Sequence, residues 1–222
     1  LGLLVVTHRA ELLSALQPDR LWVVTAAGQL QSAPSYDAVR LADPSKWPVV
    51  QGRLRDFRPL ERFHYVAGPP ALHKRVYIVR TPERYQSLGA PDVAAALIIS
   101  PPLGCVRGRN IATAGRYSIP ARRTGLAKLN VDFEAISRVV VHPMFRSCGL
   151  AVRLIRHAIA TSPVACVESL AAMGKLHPMF TRAGMADVGL FRGPRHYYRY
   201  YITPQISPSA LPGIPVHKET RV

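Results

Sequence analysis

Apolar and polar residues follow one another along the chain in a pattern that predicts strands interleaved with helices. Short apolar or alternating runs, which are typical of strands, lie at residues 20–26, 74–80, 93–100, 136–141, 163–173 and 189–202. Helical spacing of apolar residues occurs at 10–17, 57–65, 150–159 and 177–185. Proline and glycine punctuate most of the segments between them. This order of elements favours a fold of the α/β or α+β class.

The length of 222 residues fits one domain with extensions. We place the domain at residues 57–203, after an N-terminal extension (1–56) and before a proline-rich tail (204–222) that we expect to be disordered. No apolar run approaches the roughly 20 residues of a membrane span, and the opening LGLLVV lacks the basic stretch of a signal peptide. Three cysteines without a CxxC pair do not suggest a disulfide framework. We therefore predict a cytoplasmic protein with no membrane partner.

Positive charge is the strongest bulk property of the chain. It has 29 Lys and Arg against 13 Asp and Glu, for a formal net charge of +16, and 24 of those cations are Arg. Guanidinium groups bind phosphates with two parallel hydrogen bonds, and a field of this sign concentrates polyanions. The composition predicts a nucleic-acid partner, with DNA preferred over RNA. An Arg-rich genome is the alternative, but it explains the preference for Arg better than it explains the shortage of acids.

The most basic segment, residues 104–128, contains several glycines and no acid. We expect a long mobile loop here that follows a phosphate backbone, or alternatively a solvated linker. Its candidate nucleic-acid-binding residues are Arg107, Arg109, Arg116, Tyr117, Arg122 and Arg123. A second basic segment, RHYYRYY (195–201), is typical of base stacking, although its alternation also fits a strand with tyrosines in the core.

One stretch, from Ile136 to Ile159, changes from β-branched residues to helical spacing at Gly149. The first turn of a helix has backbone N–H groups without intrahelical acceptors, and the helix dipole adds partial positive charge there. Gly149 and the small Ala151 allow a phosphate to approach this backbone, and Arg146 adds a guanidinium nearby. The stretch therefore predicts a diphosphate-binding site, without the lysine of a P-loop or the GxGxxG of a dinucleotide fold.

The six residues RSCGLA (146–151) resemble the (Q/R)-x-x-G-x-(G/A) signature of the GNAT acyltransferases. The resemblance runs in order from about Arg62 to Tyr201 and implies a GNAT-like central mixed sheet flanked by helices. It implies acetyl-CoA or another acyl-CoA-like donor, whose pantetheine arm pairs with the strand that contains Val139, Val140 and Val141, with a strand N–H serving the oxyanion. The pyrophosphate would bind to Arg146, Ser147, Cys148, Gly149, Leu150 and Ala151.

Three further segments are similar to a narrower GNAT branch, which contains the phage Mom-type DNA modification proteins and GNAT domains associated with ABC-type ATPases. They are RFHY (62–65), ISRVVVHPMFR (136–146) and VESLAAMGKLHPMFTRAGM (167–185). The similarity implies modification of the exocyclic amine of adenine in DNA, with the base extruded from the stack and a donor group other than plain acetyl. Two alternatives stay open: an N-acetyltransferase for a protein, tRNA or small amine, and a non-catalytic nucleic-acid-binding module of the same fold.

Acyl transfer to an amine needs a group that accepts the amine proton. The candidates are His64, Asp132, Glu134 and Glu168, of which we prefer Glu168 and His64. Glu168 follows an apolar run on a predicted central strand, where a carboxylate suits proton transfer, unless it pairs with Arg138. His64 is the alternative, unless it is a packed helix histidine.

The departing thiolate needs an acid, which in GNAT proteins is usually a tyrosine of the next helix. The segment HPMFTRAGM (177–185) resembles that helix, and Phe180 stands at the tyrosine position. The role then passes to Tyr65, Tyr117, Tyr197 or water, and these alternatives stay open, with Tyr65 among the candidate catalytic residues.

Three histidines, His64, His142 and His177, could converge on iron or zinc, but no HxxxH spacing supports a metal site, and we predict none. We expect His142, between strand and loop, to shape the loop.

Overall fold

The computed structural model describes residues 15–24, 29–33, 44–65, 70, 72–87, 89–118, 123–193 and 197–204. The start of the predicted helix at 10–17, the loop at 34–43, Arg122 and the predicted disordered tail from 205 lie outside the described residues.

The described elements are nine strands and six α-helices. The strands are β1 (Leu21–Val24), β2 (Leu30–Ala33), β3 (Val49–Gly52), β4 (Arg75–Arg80), β5 (Val93–Ser100), β6 (Phe133–Val141), β7 (Cys166–Ala171), β8 (Ala186–Arg192) and β9 (Tyr197–Ile202). The helices are α1 (Leu54–Glu61), α2 (Glu83–Gln86), α3 (Arg107–Ala112), α4 (Arg123–Asp132), α5 (Leu150–Ala160) and α6 (Met179–Arg182). Within the described ranges, no helix has the length and apolar character needed to cross a membrane.

Seven strands form one mixed sheet in the order β3-β4-β5-β6-β7-β9-β8, and β1 pairs with β2 in a separate hairpin. All neighbours in the large sheet run antiparallel except β6 and β7, which run parallel. Every residue of the central strand β5 is buried, because helices cover both faces of the sheet. The predicted class, a mixed sheet flanked by helices, is confirmed.

The parallel pair is short, and its strands separate where it ends. Pairing covers only Phe133–Ile136 with Cys166–Ser169, while β6 continues alone along β5 to Val141. At this point Ser137 is an extra residue in β6, because Ile99 pairs with Ile136 while Ile98 pairs with Arg138. Such a β-bulge bends its strand and increases the local twist. The bulge therefore accompanies a gap between β6 and β7.

Two apolar cores lie on opposite faces of β6. Helix α5 packs Leu150, Leu154 and Ile155 against Ile136 on one face, and Val139 joins this core. Helix α1 packs its own Phe57 and Leu60 with Val140 on the other face. Because side chains alternate along a strand, Arg138 shares the α1 face with Val140.

The sheet extends on the N-terminal side of residue 57, where we placed the start of the domain. Strand β3 pairs with β4 through Val49–Gly52. Trp47 is 4% exposed and joins the core on the α5 face. The folded domain therefore includes part of the segment that the sequence pattern left as an extension.

The prediction of a mobile loop at 104–128 is wrong, because the segment contains α3 and most of α4. Arg109 and Tyr117 are buried, and the Tyr117 hydroxyl donates to Asp132 at 2.8 Å. Burial, together with that hydrogen bond, raises the pKa of Tyr117 to about 12. Neither residue is placed to contact nucleic acid.

Arg109 holds Glu168 in a buried ion pair that joins α3 to the sheet. Its Nε donates to Glu168 Oε2 at 2.8 Å and its Nη2 donates to Oε1 at 2.6 Å, and both side chains are 0% exposed. The Tyr200 hydroxyl also donates to Oε2, at 2.6 Å. Gly108 allows α3 to lie this close to the Tyr200 ring, since a Cβ at position 108 would lie 2.4 Å from Cγ of that ring.

Replacing Arg109 with Met should lower the free energy of unfolding by about 3–5 kcal/mol, because it leaves the Glu168 charge buried without its partner. Arg107→Met is the matched control, since Arg107 is exposed on the same helix, and should stay within about 0.5 kcal/mol of wild type. Denaturant unfolding measures both. Adding Glu168→Met to Arg109→Met should recover most of the loss, and a double variant as unstable as the single one would contradict the assignment.

Candidate active site

The loop between β6 and α5 presents an uncapped helix N-terminus. Gly149 is the N-cap residue of α5, and no side chain caps this end. Ser147 (φ 65°) and Gly149 (φ 76°) both have left-handed backbone. A Cβ added at Gly149 would meet nothing within 4 Å, so the space before the first turn is open. The first-turn N–H groups and the helix dipole face this space, which is the arrangement that binds an anion.

His142 shapes the turn that leads into this loop, as the sequence predicts. Its Nδ1 accepts a hydrogen bond from the Met144 N–H at 3.3 Å, which caps the short 3-10 turn of Pro143–Phe145. Its ring packs edge-on against Phe63 at 4.9 Å between centroids. Burial, followed by the charges of Arg62 and Arg146, lowers the pKa of His142.

A shallow groove, partly open to solvent and with a cavity volume of about 40 Å³, occupies the gap between β6 and β7. Both strands, the loop after α1, the turn after β7 and helix α6 line it. The lining residues are His64, Tyr65, Ile136, Ser137, Arg138, Val139, Ser169, Leu170, Ala171, Met173, Met179 and Phe180. The groove is mainly apolar, with a few polar groups from β6 and the loop after α1, as is typical of small-molecule sites.

Backbone groups of β6 face the groove beyond the bulge. The His142 N–H donates to the Ala94 carbonyl of β5 at 2.8 Å. Because the polar groups of successive strand residues point to opposite sides, those of Val141 and Val139 point away from β5, toward the gap. Val139 also lines the groove, whereas Val140 is buried on the α1 face. Among the three predicted pantetheine-contacting valines, Val139 is the one that reaches the groove.

Two of the three predicted catalytic residues lie at the groove. His64 and Tyr65 line it side by side, with their rings stacked at 4.5 Å between centroids and 28° between planes. Tyr65 is 56% exposed, which keeps its hydroxyl and ring accessible to a substrate.

The preference for Glu168 as the base needs a correction. Its carboxylate does not line the groove and is enclosed by Arg109 and Tyr200, so it has no path to a substrate proton. The predicted alternative partner, Arg138, is not the one that holds it. Asp132 accepts the hydrogen bond from Tyr117, and Glu134 is fully buried in an ion pair with Arg75. His64 is therefore the base candidate that the structure brings to the groove.

Phe180 lines the groove at the position expected for a tyrosine acid. It is 3% exposed and stacks on Tyr201 at 4.9 Å between centroids. Of the three tyrosines considered in its place, Tyr65 lies in the groove, Tyr117 is buried against Asp132, and Tyr197 lies on β9 outside the lining.

Sequence reasoning missed Arg138 as a site residue. Arg138 lines the groove, and its Nη1 donates to the Ser137 carbonyl at 2.9 Å. Its Nε is buried without a hydrogen-bond partner, and burial lowers the pKa of Arg138. A charged residue inside a β-branched run (ISRVVV) is the sequence signal that could have identified it.

The remaining predicted nucleic-acid-binding residues do not form one surface with the buried Arg109 and Tyr117. Arg107 and Arg116 are exposed, Arg122 lies outside the described residues, and Arg123 begins α4. In RHYYRYY, Tyr200 and Tyr201 are buried and Arg199 pairs with Asp187 at 2.5 Å. In the part of the chain that the structure describes, no three His, Cys, Asp or Glu side chains are grouped to hold a metal.

Comparison with known proteins finds similarity in structure rather than in sequence. No protein-family profile and no curated protein sequence matches the chain. A solved structure described as histone acetyltransferase HPA2 and related acetyltransferase, from Corynebacterium glutamicum, is 12% identical, with 77% of this chain and 98% of that chain covered and a TM-score of 0.45. The GNAT family N-acetyltransferase YhbS from Escherichia coli, in complex with CoA, is 13% identical over 76% and 86% of the two chains, with a TM-score of 0.46. The GphF GNAT-like decarboxylase, in complex with isobutyryl-CoA, is 12% identical over 70% and 98%, with a TM-score of 0.45.

The lowered pKa of His142 predicts a specific pH dependence of stability. The unfolded chain takes up a proton near the ordinary value of 6.5, whereas the folded protein takes it up at lower pH. Above pH 6.5 this histidine therefore costs no stability, and below it the free energy of unfolding falls until the pH reaches the lower pKa of the folded protein. In His142→Asn, an Asn oxygen can replace the Nδ1 acceptor without titrating, so the melting temperature should fall less between pH 7.5 and about pH 5. His177→Asn, at an exposed histidine, is the control, and a wild-type slope in His142→Asn would contradict the assignment.

Proposed function

We propose that the chain is an acyl-CoA-dependent N-acyltransferase that binds its donor between β6 and the first turn of α5. The observation that carries this proposal is the separation of β6 and β7 beside an uncapped helix N-terminus. An extended thioester arm needs a strand with unpaired backbone groups, and a diphosphate needs a cluster of N–H donors. One loop, residues 142–149, connects these two features.

The residues at the loop fit a diphosphate. The open space at Gly149 admits phosphate oxygens to the first-turn N–H groups, and the exposed Arg146 adds a positive charge beside them. The backbone groups of Val139 and Val141, which point away from β5 toward the gap between β6 and β7, suit the amide groups of a pantetheine arm. Acyl-CoA, when bound, supplies an activated thioester carbonyl.

The groove residues divide the remaining tasks between them. The Val139 N–H is the donor that the structure offers to a developing oxyanion. His64 is the group placed to accept the proton of an attacking amine, and Tyr65 is the hydroxyl placed to return a proton to the leaving group. The apolar side chains of Leu170, Met179 and Phe180 exclude water from the reacting atoms.

Gly149→Trp should weaken the binding of coenzyme A at least about 100-fold, because the indole fills the space before the N–H groups that two phosphates require. Gly184→Trp is the matched control, since Gly184 also has a positive φ, of 97°, and open space around its Cβ direction. Titration calorimetry with coenzyme A measures both variants. If Gly149→Trp and Gly184→Trp bind coenzyme A equally well, the loop is not part of the donor site. If the wild-type protein does not bind coenzyme A, the proposed function is wrong.

A second candidate keeps the donor site and takes a nucleobase amine as acceptor, as the narrower resemblance to Mom-type proteins implies. The specific observation in its favour is the stacked, partly exposed pair of His64 and Tyr65 at the groove, together with the net charge of +16. An extruded adenine could stack on the exposed Tyr65 ring, with its exocyclic amine directed into the groove.

If the acceptor is DNA, binding to single-stranded oligodeoxyadenylate should weaken steeply between 50 and 200 mM salt, by about 10³-fold or more for six phosphate contacts. At a fixed salt concentration, Tyr65→Ala should weaken the binding of the oligonucleotide relative to wild type by roughly 1–3 kcal/mol, the contribution of one stacked base. Leu72→Ala, at an exposed apolar position, is the control. Salt-independent binding, or the absence of any adduct in nucleoside mass spectrometry of cells that express the protein, would exclude this candidate.

A further inference from the structure

The groove contains a positive charge that the structure does not neutralise. Arg138 makes no ion pair with any acid in the described ranges, although the carboxylate of Glu61 contributes to the field around it. By contrast Arg75, Arg80, Arg109 and Arg199 each pair with a carboxylate. A buried guanidinium N–H without an acceptor is energetically costly, and because Arg138 lies at the groove, an anion bound there would lower that cost.

The free side of the guanidinium fits a carboxylate. Nη1 is engaged by the Ser137 carbonyl, while Nε, on the other side, has no partner. Nη2, which makes no hydrogen bond among the described residues, can donate to one oxygen of a carboxylate, and the negative charge of that carboxylate would also stabilise the buried Nε beside it. None of the groove-lining residues that the structure describes is Asp or Glu, so these residues include no carboxylate that would attract a polyamine.

The position of Arg138 assigns this anion to the acceptor rather than the donor. The donor loop begins α5, which packs on one face of the sheet. Arg138 lies on the other face with Val140. Its guanidinium is close enough to Glu61, the last residue of α1, and to Tyr65, in the loop after α1, to be influenced by their charges. A donor that enters from the α5 face and an acceptor that enters from the α1 face would meet at the gap between β6 and β7.

We propose that Arg138 recognises a carboxylate on the acceptor, so that the acceptor is an amine that carries its own carboxylate, such as an α-amino acid. This inference rests on the proposed acyltransferase function. No bond to Arg138 forms or breaks, since it binds and orients the acceptor while the amine nitrogen attacks the thioester carbonyl, loses its proton and displaces the thiolate of CoA.

The test measures acetyl transfer from acetyl-CoA to each of the twenty amino acids and to each of their carboxamides. The rate is monitored through the release of the CoA thiol. At least one amino acid should have a kcat/KM about 10-fold or more above that of its amide. Arg138→Gln should bring this ratio toward one, mainly through a higher KM for the acid, and Arg138→Lys should retain part of it. Arg55→Gln, at an exposed arginine of α1, should keep the wild-type ratio.

Several outcomes would overturn the inference while leaving the proposed function intact. In the first, the wild-type protein acetylates amino acid amides as fast as the free amino acids. In the second, it binds coenzyme A but acetylates no amino acid. In the third, oligodeoxyadenylate is the only acceptor that it modifies. A further arm compares succinyl-CoA with acetyl-CoA, and an effect of Arg138→Gln confined to succinyl-CoA would place the carboxylate on the donor instead. A wild-type protein that neither binds coenzyme A nor acylates any amine removes the proposed function and this inference together.

Discussion

The four-residue length of the parallel pairing between β6 and β7 is the constraint on which the rest of the site depends. Backbone polar groups inside a sheet normally pair with the neighbouring strand, and a strand that loses its neighbour must find other partners. Here the bulge at Ser137 bends β6 where the pairing stops, and the groove opens at that point. Because a shift of one residue moves every following side chain to the other face, the same bulge also sets the face on which Arg138 lies.

The buried ion pair of Arg109 and Glu168 shows how a residue that looks catalytic in sequence can serve the fold. Glu168 lies on the strand β7 beside the groove-lining Ser169, and alternation directs the two side chains to opposite faces. Its bidentate partner lies 59 residues earlier in the chain. A sequence pattern alone cannot join two such distant positions, so the charge of Glu168 was assigned to chemistry.

Local patterns sufficed where local physics decides the structure. Strand β5 was predicted with its observed bounds, since a run of seven apolar residues and one serine that ends at two prolines has few other conformations. The start of α5 was predicted at Gly149, because a left-handed N-cap favours glycine. The segment 104–128 was mispredicted because its glycines and arginines weaken every local signal, and its helices depend on distant contacts such as the one between Arg109 and Glu168.

The exposed positive charge of the chain and the buried charge in the groove give different information about function. Glu134 and Glu168 are paired with arginines inside the protein and Asp187 is paired with Arg199 at its surface, so few acids are left to offset the surface cations. A surface field of this kind attracts the phosphates of coenzyme A as well as those of DNA, and it therefore does not distinguish between acceptors. A guanidinium inside the groove acts over a few ångströms in a medium of lower dielectric constant, where the shape and charge of one ligand group matter. For that reason the single charge of Arg138 says more about the acceptor than the net charge of the whole chain does.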